Sequence, residues 1–328
     1  MMALAVLGGP LQVHTNAVPA LLPTQGPAAV RLERLATTPD PGGFPSAIIL
    51  GAGKCGTNAL AAALEQLGFS TPKNHYTHHQ EKERMGFLGE INWPCARWSQ
   101  DKDLAAYKKH FPKDGSRWID KSTSYLQCAS NISAIVPPST KIFAMLCDPL
   151  QAVWSRMNHE IAHGSGINES TLLHTVRVRL SALEGDCSTL AARDAGFSRA
   201  LCHQLDEGLN YGKNVRSWRE RTPVRFLLKE KSRSDPLYVL REAAAHVGVP
   251  VPPNATLGSV HSNAADESYL LPEGDAWQLY FELAEPALRP VVRGLDDGTL
   301  DGGQGQSLSE LWLRREIDAG FVVSGAYD

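Results

Sequence analysis

The residues Gly53, Lys54, Cys55, Gly56, Thr57 and Asn58 bring together what a protein needs to hold an anion. Lys54 is a cation, Thr57 carries a hydroxyl donor, and Gly56 lets the backbone approach a ligand closely. A glycine turn between a strand and a helix also offers unpaired backbone N–H groups and the positive end of the helix dipole, and phosphate is its usual occupant. The run is not a Walker loop, because G-x-x-x-x-G-K-[ST] is not satisfied. Gly51, Gly53 and Gly56 do satisfy the dinucleotide fingerprint G-x-G-x-x-G, so an NAD(P)-binding oxidoreductase and a purely structural glycine turn compete with a phosphate loop. The oxidoreductase requires an Asp or Glu about 20 residues on, to hold a ribose hydroxyl. The stretch from Phe69 to Asn74 supplies none.

A second group with chemical capacity is His75, His78 and His79. Histidine titrates in the range a general base needs, so one of them could take a proton from an acceptor group. The same residues could ligate a metal, but no C-x-x-C or H-E-x-x-H context accompanies them, and no metal is expected. An uninvolved polar loop is the remaining alternative. A third feature is Lys121, which follows the short apolar segment Trp118-Ile119-Asp120 and has a structural ion pair as its plainest reading.

The elements that must position these residues can be read from periodicity. Ser46 to Leu50 is an apolar run of strand length entering the glycine turn, and Asn58 to Leu67 places Leu60, Ala63, Leu64 and Leu67 on one helical face. Residues 69–113 are polar, with little regular strand and a helix from Asp103 to Phe111. Further strands are predicted at Trp118 to Asp120, Lys141 to Leu146 and Val224 to Lys229. A helix starts at Asp148-Pro149, 170–219 is mainly helical, and helices follow over 236–247 and 276–295. Strands alternating with helices imply a mostly parallel, helix-covered sheet. The expected organisation is a leader or targeting segment over 1–42, one domain over 43–296, and a linker with a helical tail over 297–328.

The totals narrow the classes. With 328 residues, 43% apolar and 20% charged side chains and a net charge of −3, the chain suits one soluble globular domain with additions. No global basic field points to nucleic acid. Residues 1–30 lack charge but are interrupted by Pro10, Pro19, Pro23 and Pro27, which excludes a membrane-spanning helix there and favours a cytoplasmic or other soluble compartment. The six cysteines are widely spaced and read as buried free thiols, although Cys187 and Cys202 are close enough to close a loop under oxidising conditions.

Taken in order, these segments resemble the sulfotransferase family, nearest to its carbohydrate and heparan-sulfate type. Gly53 to Leu60 is similar to the K-G-G-T-x-A-L loop, and Asp120-Lys121-Ser122-Thr123-Ser124-Tyr125 to the E-K-[ST]-P-x-Y segment. Leu146-Cys147-Asp148-Pro149 followed by Ser155 is similar to L-R-D-P-x-x-R-x-x-S. Gly208-Leu209-Asn210-Tyr211, Trp218, the strand at Phe226 and the helix ending at Gly248 continue the succession, so that the resemblance covers roughly residues 45 to 295. It implies a P-loop-like three-layer α/β fold with a central, mostly parallel sheet flanked by helices. It implies transfer of a sulfuryl group from PAPS to a hydroxyl or amine of a carbohydrate or small-molecule acceptor.

On the residues, the resemblance implies that Gly53, Lys54, Cys55, Gly56, Thr57 and Asn58 surround the 5′-phosphosulfate of the donor. Lys54 and Lys121 face the reaction centre, and Ser155 serves the 3′-phosphate. Cys147 and Ala152 depart from the pattern, standing where two arginines are expected. Arg156 is either the replacement cation or a solvated helix residue. The glutamate that serves as base in the family aligns with Asn74, which cannot take a proton, and His75 is the substitute this reading selects. The lost arginine also leaves room for a sulfotransferase-like binding protein without transfer activity.

Overall fold

The computed structural model describes residues 43–72, 91, 95, 97, 101–111, 114–162, 168–182, 186–194 and 196–255, together with 282, 286, 287 and 291. The expected leader over 1–42 and the tail over 297–328 lie outside the described residues. So does most of the helix expected over 276–295, although residues 282, 286, 287 and 291 have helical backbone.

The chain runs through β1 (Ala47–Ile49), α1 (Thr57–Gln66), β2 (Phe69–Ser70), α2 (Asp101–Lys108) and β3 (Arg117–Lys121). A 3-10 turn (Thr123–Gln127), α3 (Ala129–Ile132), β4 (Lys141–Leu146) and α4 (Pro149–Ala162) follow. Next come α5 (Glu169–Ser181), α6 (Cys187–Arg193), α7 (Arg199–Leu209), α8 (Tyr211–Arg221), β5 (Val224–Leu228), α9 (Lys229–Ser234) and α10 (Tyr238–Val247). The strands form one five-stranded sheet in the order β2-β3-β1-β4-β5. Every pairing is parallel, with Ile48 opposite Asp120 on one side and Ile142 on the other.

Burial explains why these runs become strands. A parallel sheet is covered by helices on both faces, so its central strands are apolar throughout instead of alternating. All of Ala47, Ile48 and Ile49 is buried, and so is Ile142 to Leu146. Leu60 and Leu64 of α1, Trp218 of α8, and Leu240 and Ala243 of α10 fill the same core. Val153, Trp154 and Met157 of α4 meet Leu172 and Val176 of α5 and Leu201 and Leu205 of α7 in a second, all-helical cluster. Helix ends carry local signals: Asn168 and Thr171 form a capping box on α5, Ser198 accepts from the Leu201 N–H on α7, and Gly248 ends α10 at φ 73°.

The strand order decides one question left open above. A dinucleotide-binding sheet pairs β2 directly with β1. Here β3 lies between them, which separates this fold from the oxidoreductase alternative. The chain leaves β1 in one direction and reaches β4 on the other side, so the crevice at the carboxyl ends of β1 and β4 is where a ligand is expected.

The cysteines correct the expectation of free thiols. All six are paired, as Cys55–Cys147, Cys95–Cys128 and Cys187–Cys202, with Cα separations of 5.2, 5.4 and 5.7 Å. Two of the pairs join residues 92 and 33 positions apart, a proximity that only the fold creates. No helix among the described residues is long and apolar enough to cross a membrane.

Two outcomes test this architecture. Unfolded, unreduced protein should take up no thiol-alkylating reagent, and reduced protein six equivalents, by intact mass. Gly51→Ala should destabilise the fold by about 3 kcal/mol in denaturant titration, because a Cβ at Gly51, which has φ +114°, would lie 2.4 Å from the Thr123 carbonyl oxygen.

Candidate donor site

The loop between β1 and α1 is built from the sheet outward. The Leu50 N–H donates to the Phe143 carbonyl at 2.9 Å, and the Met145 N–H to the Gly51 carbonyl at 2.7 Å, so pairing with β4 continues past the end of β1. On the other side the Ser122 N–H donates to the Ile49 carbonyl at 3.0 Å. The loop then turns sharply, with Lys54 at φ 65° and Gly56 at φ 87°. A positive φ is uncommon for a residue with a side chain and marks Lys54 as held in a turn that its own chemistry does not favour. Gly56 is the N-cap of α1 and contributes no side-chain cap, and the first turn contains no acidic residue. Helix geometry leaves the amides of Thr57 and Asn58 without an intrahelical acceptor. The positive end of α1 is therefore presented to the crevice with no carboxylate of its own helix neutralising it.

The residues singled out in the sequence meet here to a large degree. Lys121, at the end of β3, is almost fully buried and donates from Nζ to Asn58 Oδ1 at 2.7 Å. This bond joins the second candidate lysine to the first turn of α1. Asp120 beside it accepts from Tyr107 Oη at 2.7 Å and from Ser122 Oγ at 2.6 Å, so the buried carboxylate is well satisfied. Burial, and then the Asp120 charge, push the Tyr107 hydroxyl well above its usual pKa, keeping it a donor. Arg156 on α4 is turned toward the loop: its Nη2 lies 3.8 Å from where a Cβ on Gly53 would stand, and its link to Glu160 is long, at 3.5 Å. Ser155 is half-buried on the same helix. His75, His78 and His79, the candidate bases, lie outside the described residues.

Several neighbours of the loop had no signal in the sequence. Cys147, which departs from the resemblance, is bonded to Cys55 of the loop, which ties the loop to the residue after β4. Tyr211 of α8 lies against this disulfide, with its hydroxyl 3.3 Å from Cys55 Sγ. On α7, Glu207 accepts the Gly53 N–H at 3.1 Å and 3.3 Å through its two oxygens, and Gln204 donates to the Gly53 carbonyl at 3.2 Å and to Glu207 at 2.9 Å. Lys229, the first residue of α9, passes its Cγ within 3.8 Å of a Cβ position on Gly56. Tyr211 closes the Gly208-Leu209-Asn210-Tyr211 segment already singled out in the sequence, and only adjacency to that segment could have pointed to Glu207.

The electrostatics are mixed. Burial pushes the Glu207 carboxyl up to about 7, against the opposing pull of the Gly53 amide, Arg156 and Gln204. Tyr211 is pushed well above its usual value, first by burial and then by Glu207, Glu230 and Asp148. Glu230, on α9, accepts the Asp148 N–H at 2.9 Å and so closes the site behind β4. Among the described residues, one set could have suggested a metal: Cys187, Cys202 and Asp206. Both sulfurs are in a disulfide, so they offer no thiolate ligands.

No protein-family model matches the sequence, and no curated protein matches it. Among solved structures, the chain is similar to a sulfotransferase from Alicyclobacillus acidocaldarius, at 18% identity and a TM-score of 0.51, over 83% of this chain and 97% of that one. The sulfotransferase domain of the Synechococcus PCC 7002 olefin synthase is also found, at 15% identity and a TM-score of 0.34, over 76% of this chain and 97% of that domain. At this identity the first likeness is one of fold: the chain has the mostly parallel α/β fold seen in a sulfotransferase, with the glycine loop at the crevice of its sheet.

The raised carboxyl of Glu207 has a measurable consequence. Its folded value of about 7 stands above the ordinary 4.5, so the native state holds a proton that the unfolded chain releases between those values. Stability of the wild type relative to Glu207→Gln should therefore decline as pH rises from 4.5 to 7 and level off above. Denaturant titrations of both proteins across that window check it, and a difference that stays flat contradicts the burial.

Proposed function

We propose that the chain is a sulfotransferase that takes a sulfuryl group from PAPS and passes it to a hydroxyl or amine of a carbohydrate or small-molecule acceptor. The observation that carries this reading is the uncapped positive end of α1, with Lys54 in the turn before it and Lys121 bonded to its first turn. An anionic group seated there would meet the amides of Thr57 and Asn58, the Thr57 hydroxyl and two lysines, and the fold is one in which a sulfotransferase is built.

In the reaction, the acceptor oxygen or nitrogen attacks sulfur in line with the bond to the 5′-phosphate oxygen. That S–O bond breaks, the phosphate leaves as part of PAP, and the acceptor's proton passes to a base. Charge builds on the departing phosphate oxygen, where a fixed cation is worth most. Lys54 takes that role, and the loop amides hold the phosphate in place. Lys121, kept rigid by Asn58, faces the moving group. Arg156 and Ser155 line the α4 side, where the donor's 3′-phosphate is expected, with Arg156 the cation that stands in for the arginines missing at Cys147 and Ala152. His75 is the proposed base.

A second reading has its own support. Cys147 stands where the resemblance expects an arginine that grips the donor, and it is tied up in a disulfide with Cys55, so a protein that binds sulfated or phosphorylated ligands without transfer is also compatible with the site. The disulfides support folding in an oxidising compartment, an alternative to the cytoplasmic preference read from the sequence.

Labelled PAPS screened against polysaccharides, phenols, alcohols and amines should yield a sulfated product, and Lys54→Ala should lower the rate at least about 100-fold. A thermal shift with PAP and no transfer to any acceptor would favour the binding protein. No shift with PAP at all would remove the transferase reading and leave the binding protein.

A further inference from the structure

The most heavily built contact of the donor loop comes from α7. Both polar backbone groups of Gly53 are taken by side chains of that helix: the N–H by Glu207, at 3.1 Å and 3.3 Å, and the carbonyl by Gln204, at 3.2 Å. The two side chains are bonded to each other at 2.9 Å, which closes a ring of hydrogen bonds on one residue. Space is matched as well, since a Cβ on Gly53 would stand 3.0 Å from Gln204 Oε1 and 3.3 Å from Glu207 Oε2. The helix bearing the grip is itself anchored, through Cys202 to Cys187 of α6 and through the ion pair of Asp206 with Arg179 of α5 at 2.6 Å.

We propose that Glu207 is a positioning residue of the donor site, which together with Gln204 sets the conformation of the loop at Gly53 and takes up a proton when an anionic donor enters. This rests on the donor reading given above. The residue it grips is the immediate neighbour of Lys54, so a change at Glu207 is transmitted directly to the turn that aims the lysine. The groups facing Glu207 are the Gly53 amide from the loop, Arg156 from α4, Gln204 from its own helix and Tyr211 from α8. Its carboxylate already occupies part of the positive field of the loop. An incoming phosphate adds negative charge next to it, and the neutral acid becomes the favoured form. The proton comes from solvent, the carboxyl keeps an oxygen for the Gly53 N–H, and Arg156 is freed of its charged neighbour to face the donor. The pKa of about 7 places this exchange in the neutral range.

The test is calorimetric titration of the full chain with PAP across the neutral range, in two buffers of different ionisation heat. Wild-type protein should take up protons on binding and lose affinity by about tenfold from pH 6 to pH 8. Glu207→Gln, which can still accept the Gly53 N–H, should take up none, vary less than about twofold, and bind more tightly than wild type at pH 8. Proton uptake that persists in Glu207→Gln, or is missing from the wild type, overturns the proposal. If wild type does not bind PAP, the donor reading fails, and the grip is judged alone by hydrogen exchange of residues 51–58. There Glu207→Ala should speed exchange about tenfold, with Glu207→Gln close to wild type. Unchanged exchange in Glu207→Ala overturns the grip itself.

Discussion

A loop that offers its amides to an anion cannot also use them to hold its own shape, and most of the structure follows from that constraint. The support has to come from elsewhere. The β4 strand takes the first part of the turn through the Phe143 and Met145 backbone, α7 takes Gly53, and a covalent bond takes Cys55. All of these holds fall before Gly56. The helix that begins there has its first amides turned to the crevice, and neither a side-chain cap nor an acid in its first turn competes for them.

The charges around the loop divide into two layers. Lys54, the amides of α1 and the Nζ of Lys121 make the ligand side positive, whereas Glu207, Glu230 and Asp148 gather around Tyr211 beneath it. A buried charge is costly unless it is paired or hydrogen-bonded. Lys121 meets that condition through Asn58, and Asp120 through Tyr107 and Ser122. The acids below the loop meet it by bonding to backbone N–H groups, Glu207 to Gly53 and Glu230 to Asp148. The same carboxylates that shape the loop from below thus restrain the positive field above it.

How far the sequence revealed this depends on whether the interaction is local. The β1 strand, the glycine turn and α1 are consecutive, and their pattern of apolar residues and glycines shows them directly. The strands around Ile119, Phe143 and Phe226 were visible for the same reason. The β2 strand was not, because two residues carry no periodicity, and α9 was hidden by its charged sequence, Lys229 to Ser234. Asp120, Lys121 and Ser122 stood out as a segment, but the bond from Lys121 to Asn58 spans 63 positions. The grip of α7 on Gly53 spans more than 150, and nothing near Glu207 in the chain announces its partner. The cysteines misled for a related reason: without a short spacing motif, a buried thiol and half of a long-range disulfide look alike.

In the sequence Cys147 looked like a flaw in the pattern and Cys55 like an ordinary loop residue, and the bond between them makes the two one covalent hold on the loop. Both sulfurs are buried, so the bond is shielded from reductants in solution while the fold is intact. Its two ends lie 92 positions apart, and a chain that opens it loses in one step the covalent link between the anion loop and the end of β4. The loop's shape is thus set in part by the redox conditions under which the chain folded.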